Sequence, residues 1–140
     1  MTGTAYAEML AIAAELTGRE TVLRPPADKE SLAQLEAVIG GPLGEQARAL
    51  FSVFDGFDGR MPDDKTMVCL WSADAIHRAA AQHSRSAKGQ LIGDHFLAAE
   101  HFRCDLRRDQ SEVWWDERGT VAAASLLEFC RQVGRGTVAP

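Results

Sequence analysis

"HFRCDLRRDQSEVWWDERGTVAAASLLEFC", residues 101–130, is the stretch whose reading decides the fold. "HFRCDL" alternates, setting Phe102, Cys104 and Leu106 on one face and His101, Arg103 and Asp105 on the other, the period-two pattern of a half-buried strand. "RRDQ" reads as a turn, and "SEVWW" as the partner strand, with Val113 and Trp115 facing one way and Glu112 and Trp114 the other. "DERGT" turns again. The last helix opens at Ser125, with Glu128 three residues on as a capping box ahead of Leu126, Cys130 and Val133. Strands joined by short turns pair antiparallel, because a parallel pair needs a long crossover.

Upstream, helices come first. "TAYAEMLAIAAEL" places Tyr6, Met9, Leu10, Ala13 and Leu16 on one helical face, and Gly18 stops it. Pro25 and Pro26 keep the following segment extended. Asp28 caps a second helix whose face is Leu32, Leu35, Val38 and Ile39, ended by Gly40-Gly41. A third helix begins near Leu43 and buries Leu43, Ala47, Leu50, Phe51 and Phe54. It runs into "DGFDG", where Asp55-Gly56 reads as a helix stop and Asp58-Gly59 as the next turn. "TMVCLW" is apolar on both faces, as a buried strand is; Ser72 caps "ADAIHRAAAQH", and "QLIGDHFL" is a strand interrupted by Gly93. Helices, then a strand meander, then a closing helix predict an α+β fold: an antiparallel or mixed sheet flanked by N-terminal helices and a C-terminal helix.

The 140 residues predict a single domain over 1–140, with 1–27 set apart as a possible added helix and linker. At 46% hydrophobic and 25% charged, the composition is that of an ordinary globular chain. No apolar run approaches the about 18 residues of a membrane span, and no signal-peptide pattern opens the sequence, so the expected location is cytoplasmic. Net charge is −5; residues 1–66 hold 11 acids against 6 bases, while 67–140 hold 9 of each. That balance argues against direct nucleic-acid binding and fits a basic partner or a solvated acidic surface.

Chemistry is hard to find. The four histidines include no HxxxH pair, and the three cysteines no CxxC; the aspartates of "DGFDGRMPDD" lack the order of a calcium loop. No metal, cofactor or catalytic residue is therefore expected. Cys69, Cys104 and Cys130 read as reduced core thiols. There is no GxSxG or phosphate-cradling glycine motif. Asp94 beside His95 suggests an acid–base pair, and with His101 a small hydrolase, but adjacent strand residues point to opposite faces.

Read together, these segments resemble the SUKH superfamily, found as bacterial toxin-immunity proteins and in fungal cell-wall regulators. "LAQLEAVIGGPL" is similar to its E-x-x-L/I-G-x-x-L-P segment through Glu36, Ile39, Gly40 and Leu43. "ALFSVFDGF" matches at Leu50, Phe51, Asp55 and Gly56, and "VCLWSADAI" resembles the strand and short helix that follow. "LIGDHFLAAEHFRCDL" resembles the I-G-D segment and next strand through Ile92, Gly93, Asp94, Phe102 and Leu106. "SEVWWDERGTVAAASLLEFC" is similar to the next strand and the closing A-x-S-F-x-E-F helix through Ala123, Ser125, Glu128 and Phe129. Gly44 and Leu126 depart from the family's proline and phenylalanine, and "FLAAEH" replaces the paired glycines many members carry after I-G-D.

The resemblance covers roughly residues 30–131. It implies a non-enzymatic binding domain that neutralises a cognate, basic toxin, such as a nuclease, by covering it. The residues expected to meet the partner are Phe57, Asp58, Asp63, Asp64 and Trp114; Gly40, Asp55, Gly56, Gly93, Asp94, Ser125 and Glu128 are expected to hold the fold. A regulatory scaffold or small-ligand module on the same fold is the alternative.

Overall fold

A computed structural model describes residues 2–59, 61–82 and 86–138. Three helices lead, α1 (Thr2–Gly18), α2 (Lys29–Ile39) and α3 (Glu45–Val53), followed by β1 (Val68–Leu70) and α4 (Ala73–Gln82). The meander is β2 (Gln90–His95), β3 (Glu100–Cys104), β4 (Val113–Trp115) and β5 (Thr120–Ala123), closed by α5 (Leu126–Arg135). The five strands lie in chain order in one sheet, and every neighbouring pair is antiparallel. The protein is α+β.

Strand alternation splits the sheet into two faces. Val68, Phe102 and Trp115 stand on the core face, where Phe102 meets Phe129 of α5 at 4.6 Å between ring centres. Helices α1, α3 and α5 pack on one another around this cluster. The cross-strand row Cys69, Asp94, His101 and the row Leu91, Arg103, Trp114, Val121 stand on the other, open face. Helix α4 packs beside β2 and against α2.

The caps explain where the helices start. The Asp28 carboxylate accepts the Ser31 amide at 2.7 Å, and the Ser125 hydroxyl accepts the Glu128 amide at 3.2 Å. The Glu128 side chain does not complete a reciprocal box; it takes Arg131, whose guanidinium also reaches Glu8 of α1. Gly40 closes α2 in the left-handed conformation.

Asp55-Gly56 does more than stop a helix. Helix α3 is capped by extended Phe54, and Asp55 turns away to accept the Ala73 amide at 2.7 Å, which caps the start of α4 jointly with Ser72. Burial raises the Asp55 carboxyl above its ordinary pKa, with the Ala73 bond and Arg24 opposing. Gly56 has φ +71°, and a Cβ there would lie 2.5 Å from the Trp71 carbonyl carbon, so only glycine fits.

Two expectations change on contact with the fold. The buried stripe of α1 is Ala5, Met9, Ile12 and Leu16, while Tyr6 and Leu10 are exposed. The neighbours chose the stripe: Ile12 lies against Gly134 of α5, where an added Cβ would come within 3.2 Å. The strand expected over "QLIGDHFL" ends at His95, because Phe96 and Leu97 enter a left-handed turn, and β5, assigned no element above, is an edge strand pairing Val121 with Trp114. His83, the expected end of the α4 segment, lies outside the described residues.

Candidate functional site

The β1 end of the sheet gathers most of what a partner could grip. Three chain segments are stitched there by backbone hydrogen bonds. The Asp58 amide donates to the Val22 carbonyl at 2.9 Å, the Met67 amide to the Asp63 carbonyl at 2.7 Å, and the Phe96 amide to the Met67 carbonyl at 2.9 Å. The 19–24 segment, the 57–67 loop and the β2–β3 tip therefore form one surface.

Asp63 is the pin of that surface. Its carboxylate is fully buried and accepts the Thr66 hydroxyl and amide, the Thr21 hydroxyl, and Arg19 at the end of α1. Burial pushes its pKa up, but the Thr66 and Thr21 hydroxyls, the Thr66 amide and Arg19 outweigh burial and hold it below the ordinary value. Arg19 also reaches the Val133 and Gly134 carbonyls at the end of α5. Phe57 is buried as well, its ring stacked at 6.5 Å on Phe54 and its amide bonded to Leu70. Of the residues expected to meet a partner, Phe57 and Asp63 thus hold the loop from inside, because strand β1 and the 19–24 segment close over them. Asp58 and Asp64 remain exposed, and neither forms an ion pair with a described residue; the same is true of Glu20. Trp114 lies elsewhere, half-buried on the open face under the Lys88 ammonium at 4.3 Å.

The β2–β3 tip has an unusual backbone. Phe96, Leu97 and Ala98 all adopt positive φ, at 56°, 56° and 69°. Left-handed backbone costs a side-chain-bearing residue about 1–2 kcal/mol, and such strain clusters at functional positions. The turn is held by the Ala98 amide donating to Asp94 Oδ1 at 3.3 Å. It presents Phe96 and Leu97 to solvent at 62% and 70% exposure, and the neighbouring loop presents Met61 at 70% and the 19–24 segment Val22 at 57%. Tyr6, Leu10 and Val121 are the remaining large apolar side chains exposed among the described residues.

A cleft of about 780 Å³ opens between this end and α4, lined by Gly59, Leu97 and Ala98, by Arg24 and Arg78, and by Trp71, Asp94 and His101. Its polar groups hold one another. The Trp71 indole N–H donates to Asp94 Oδ2 at 2.7 Å; His101 Nδ1 lies 2.6 Å from Glu117, and its ring meets Trp71 edge-on. Burial raises the Glu117 carboxyl, but the His101 ring and amide together hold it below its ordinary value. His95 is separated from this group: its ring lies on the core face, 5.2 Å from Trp115. Asp94, His95 and His101 therefore do not converge. The buried Cys104 and Cys130 thiols are pushed up to about 12, which leaves them protonated and unreactive. Among the described residues no three His, Cys, Asp or Glu side chains group as metal ligands would, and no helix is long and apolar enough to cross a membrane.

Sequence reading missed the tip. The signal was present: a strand ending in "GDH" and another beginning "EHF" are joined by "FLAA", a turn with no glycine, proline or asparagine and two large apolar residues. Compared with known protein families and with curated proteins, the chain matches no family model and no curated sequence.

Proposed function

We propose that this chain is a non-enzymatic protein-binding domain of SUKH type, an immunity protein that neutralises a basic toxin in the bacterial cytoplasm by covering it with the β1 end of the sheet. The observation that carries this reading is the strained β2–β3 tip, which spends backbone energy to hold Phe96 and Leu97 in solvent beside Met61 and Val22. Apolar anchors of this kind supply tight contact. Asp58, Asp64 and Glu20 flank them and steer a cationic partner into place. A nuclease toxin has such a surface, because its own substrate is a polyanion.

The test is affinity capture from the source cell at high salt, with the wild type beside Leu97→Asp and the pair Asp58→Lys with Asp64→Lys. One stoichiometric basic protein, held by the wild type and lost by both variants, is the expected result. A scatter of weak partners retained equally by all three would sink the immunity reading. It would favour the second one, a regulatory scaffold or small-ligand module, for which the 780 Å³ cleft speaks.

A further inference from the structure

A second hollow, of about 210 Å³, is lined by three arginines and one aspartate among its charged residues. It lies where the 86–90 segment meets β3 and the β3–β4 connection. Its lining sets apolar Val38, Ile39 and Leu91 beside Arg103, Arg107, Arg108 and Asp105, with Leu91 and Arg103 as cross-strand neighbours on the open face.

Two of these guanidiniums are fixed in place with donors to spare. Arg103 donates Nε to Asp116 at 2.8 Å and Nη1 to the Gly89 carbonyl at 2.8 Å, which leaves Nη2 unused. Arg107 donates Nε and Nη2 to Asp105 at 3.1 and 3.3 Å, leaving Nη1. Arg108 forms no ion pair with a described residue. Against the three guanidiniums stand the carboxylates of Asp105 and Asp116, so the hollow keeps a surplus of one positive charge, that of Arg108, in a chain whose net charge is −5. Gly89 is what allows the close packing: it has φ +97°, and a Cβ there would fall 2.2 Å from the Cys104 carbonyl carbon.

We infer that this hollow binds a small phosphate monoester, its phosphate on Arg103, Arg107 and Arg108 and its organic body against Val38, Ile39 and Leu91. Guanidinium forks match phosphate oxygens in pairs, and pre-positioned donors lose little freedom on binding. The hollow is large enough for a phosphate group with a small apolar substituent and too small for a polymer. This site is separate from the toxin-covering face and stands whether or not that reading holds.

The experiment is calorimetric titration of the whole chain with phenyl phosphate, beside inorganic phosphate and phenol, at low ionic strength. Phenyl phosphate is expected to bind more tightly than inorganic phosphate, phenol not at all, and Arg108→Glu to weaken phenyl phosphate by about tenfold or more. Arg108 is exposed and forms no ion pair with a described residue, but its charge helps hold Asp105 ionised, so the melting temperature of the variant is measured beside its affinity and Arg108→Gln, which adds no like charge, is titrated with it. Arg107→Gln provides a second reading, weakening binding without reversing a charge. No heat with phenyl phosphate up to millimolar concentration, or equal affinity in wild type and Arg108→Glu, overturns the assignment.

Discussion

The two faces of the sheet are made by the same strands and solve opposite problems. On the core face, Phe102, Trp115 and Phe129 pack ring on ring at 4.4 and 4.6 Å, and burial of apolar area does the work. On the open face, Asp94 takes Trp71, Glu117 takes His101, and Asp116 takes Arg103, so polar groups pair off and leave hollows between the pairs. The core face sets how stable the protein is; the open face sets what shape it offers.

Substitutions separate the two. Phe102→Ala should have the largest effect, a loss of about 3–5 kcal/mol read from denaturant unfolding, because it empties the centre of the ring cluster. Trp71→Phe should cost less, about 1–2 kcal/mol, since it strips Asp94 of one donor at a partly solvated site. If the two cost the same, the open face is as structural as the core and the division fails. Leu97→Gly should move the other way and stabilise by about 1 kcal/mol in the same assay, because glycine adopts φ 56° without strain. A loss of stability there would mean that the exposed leucine packs in solution.

Acid gives the smallest and most selective effect. Glu117 has its folded pKa held below the unfolded value of about 4.3. Its contribution is present above that value and is lost as pH falls through the folded pKa. Asp55, raised by burial, has the opposite sign: its contribution weakens as pH rises from the unfolded value through the folded one. Lowering the pH should therefore release His101 and shift the Trp71 indole resonance while Phe102 and Phe129 keep their native shifts. Glu117→Gln should remove the acid-induced release of the His101 ring.

Local pattern carried most of the architecture. The α3 stripe from Leu43 to Phe54, the alternation of Phe102 and Cys104, and the Asp28 and Ser125 caps all lie where spacing and capping chemistry put them. What failed to read was decided between elements. The alanine-rich α1 offers two overlapping stripes, and close approach to Gly134 selects the one containing Ile12. Strand β5 is short and alanine-rich, so its pairing with β4 is its main signal. At the candidate site, Asp58 and Asp64 were legible as exposed turn residues. Asp63 was not, because its partners Thr21 and Arg19 are about forty residues away in sequence. The tip escaped because left-handed conformations are read from glycine, and here phenylalanine, leucine and alanine adopt them.

Asp55 has a consequence for the order in which the protein opens. It ends one helical segment and supplies the acceptor for the first amide of another, eighteen residues later. The Ala73 amide is thus protected only while residues 54–57 stay seated between β1 and the 23–24 segment. In hydrogen exchange, Ala73 should become labelled together with the Phe57 amide and not with the later amides of α4. A single aspartate would then make the start of α4 and the DGF loop one unit of opening, and a ligand that clamps the loop would slow exchange at a helix it never touches.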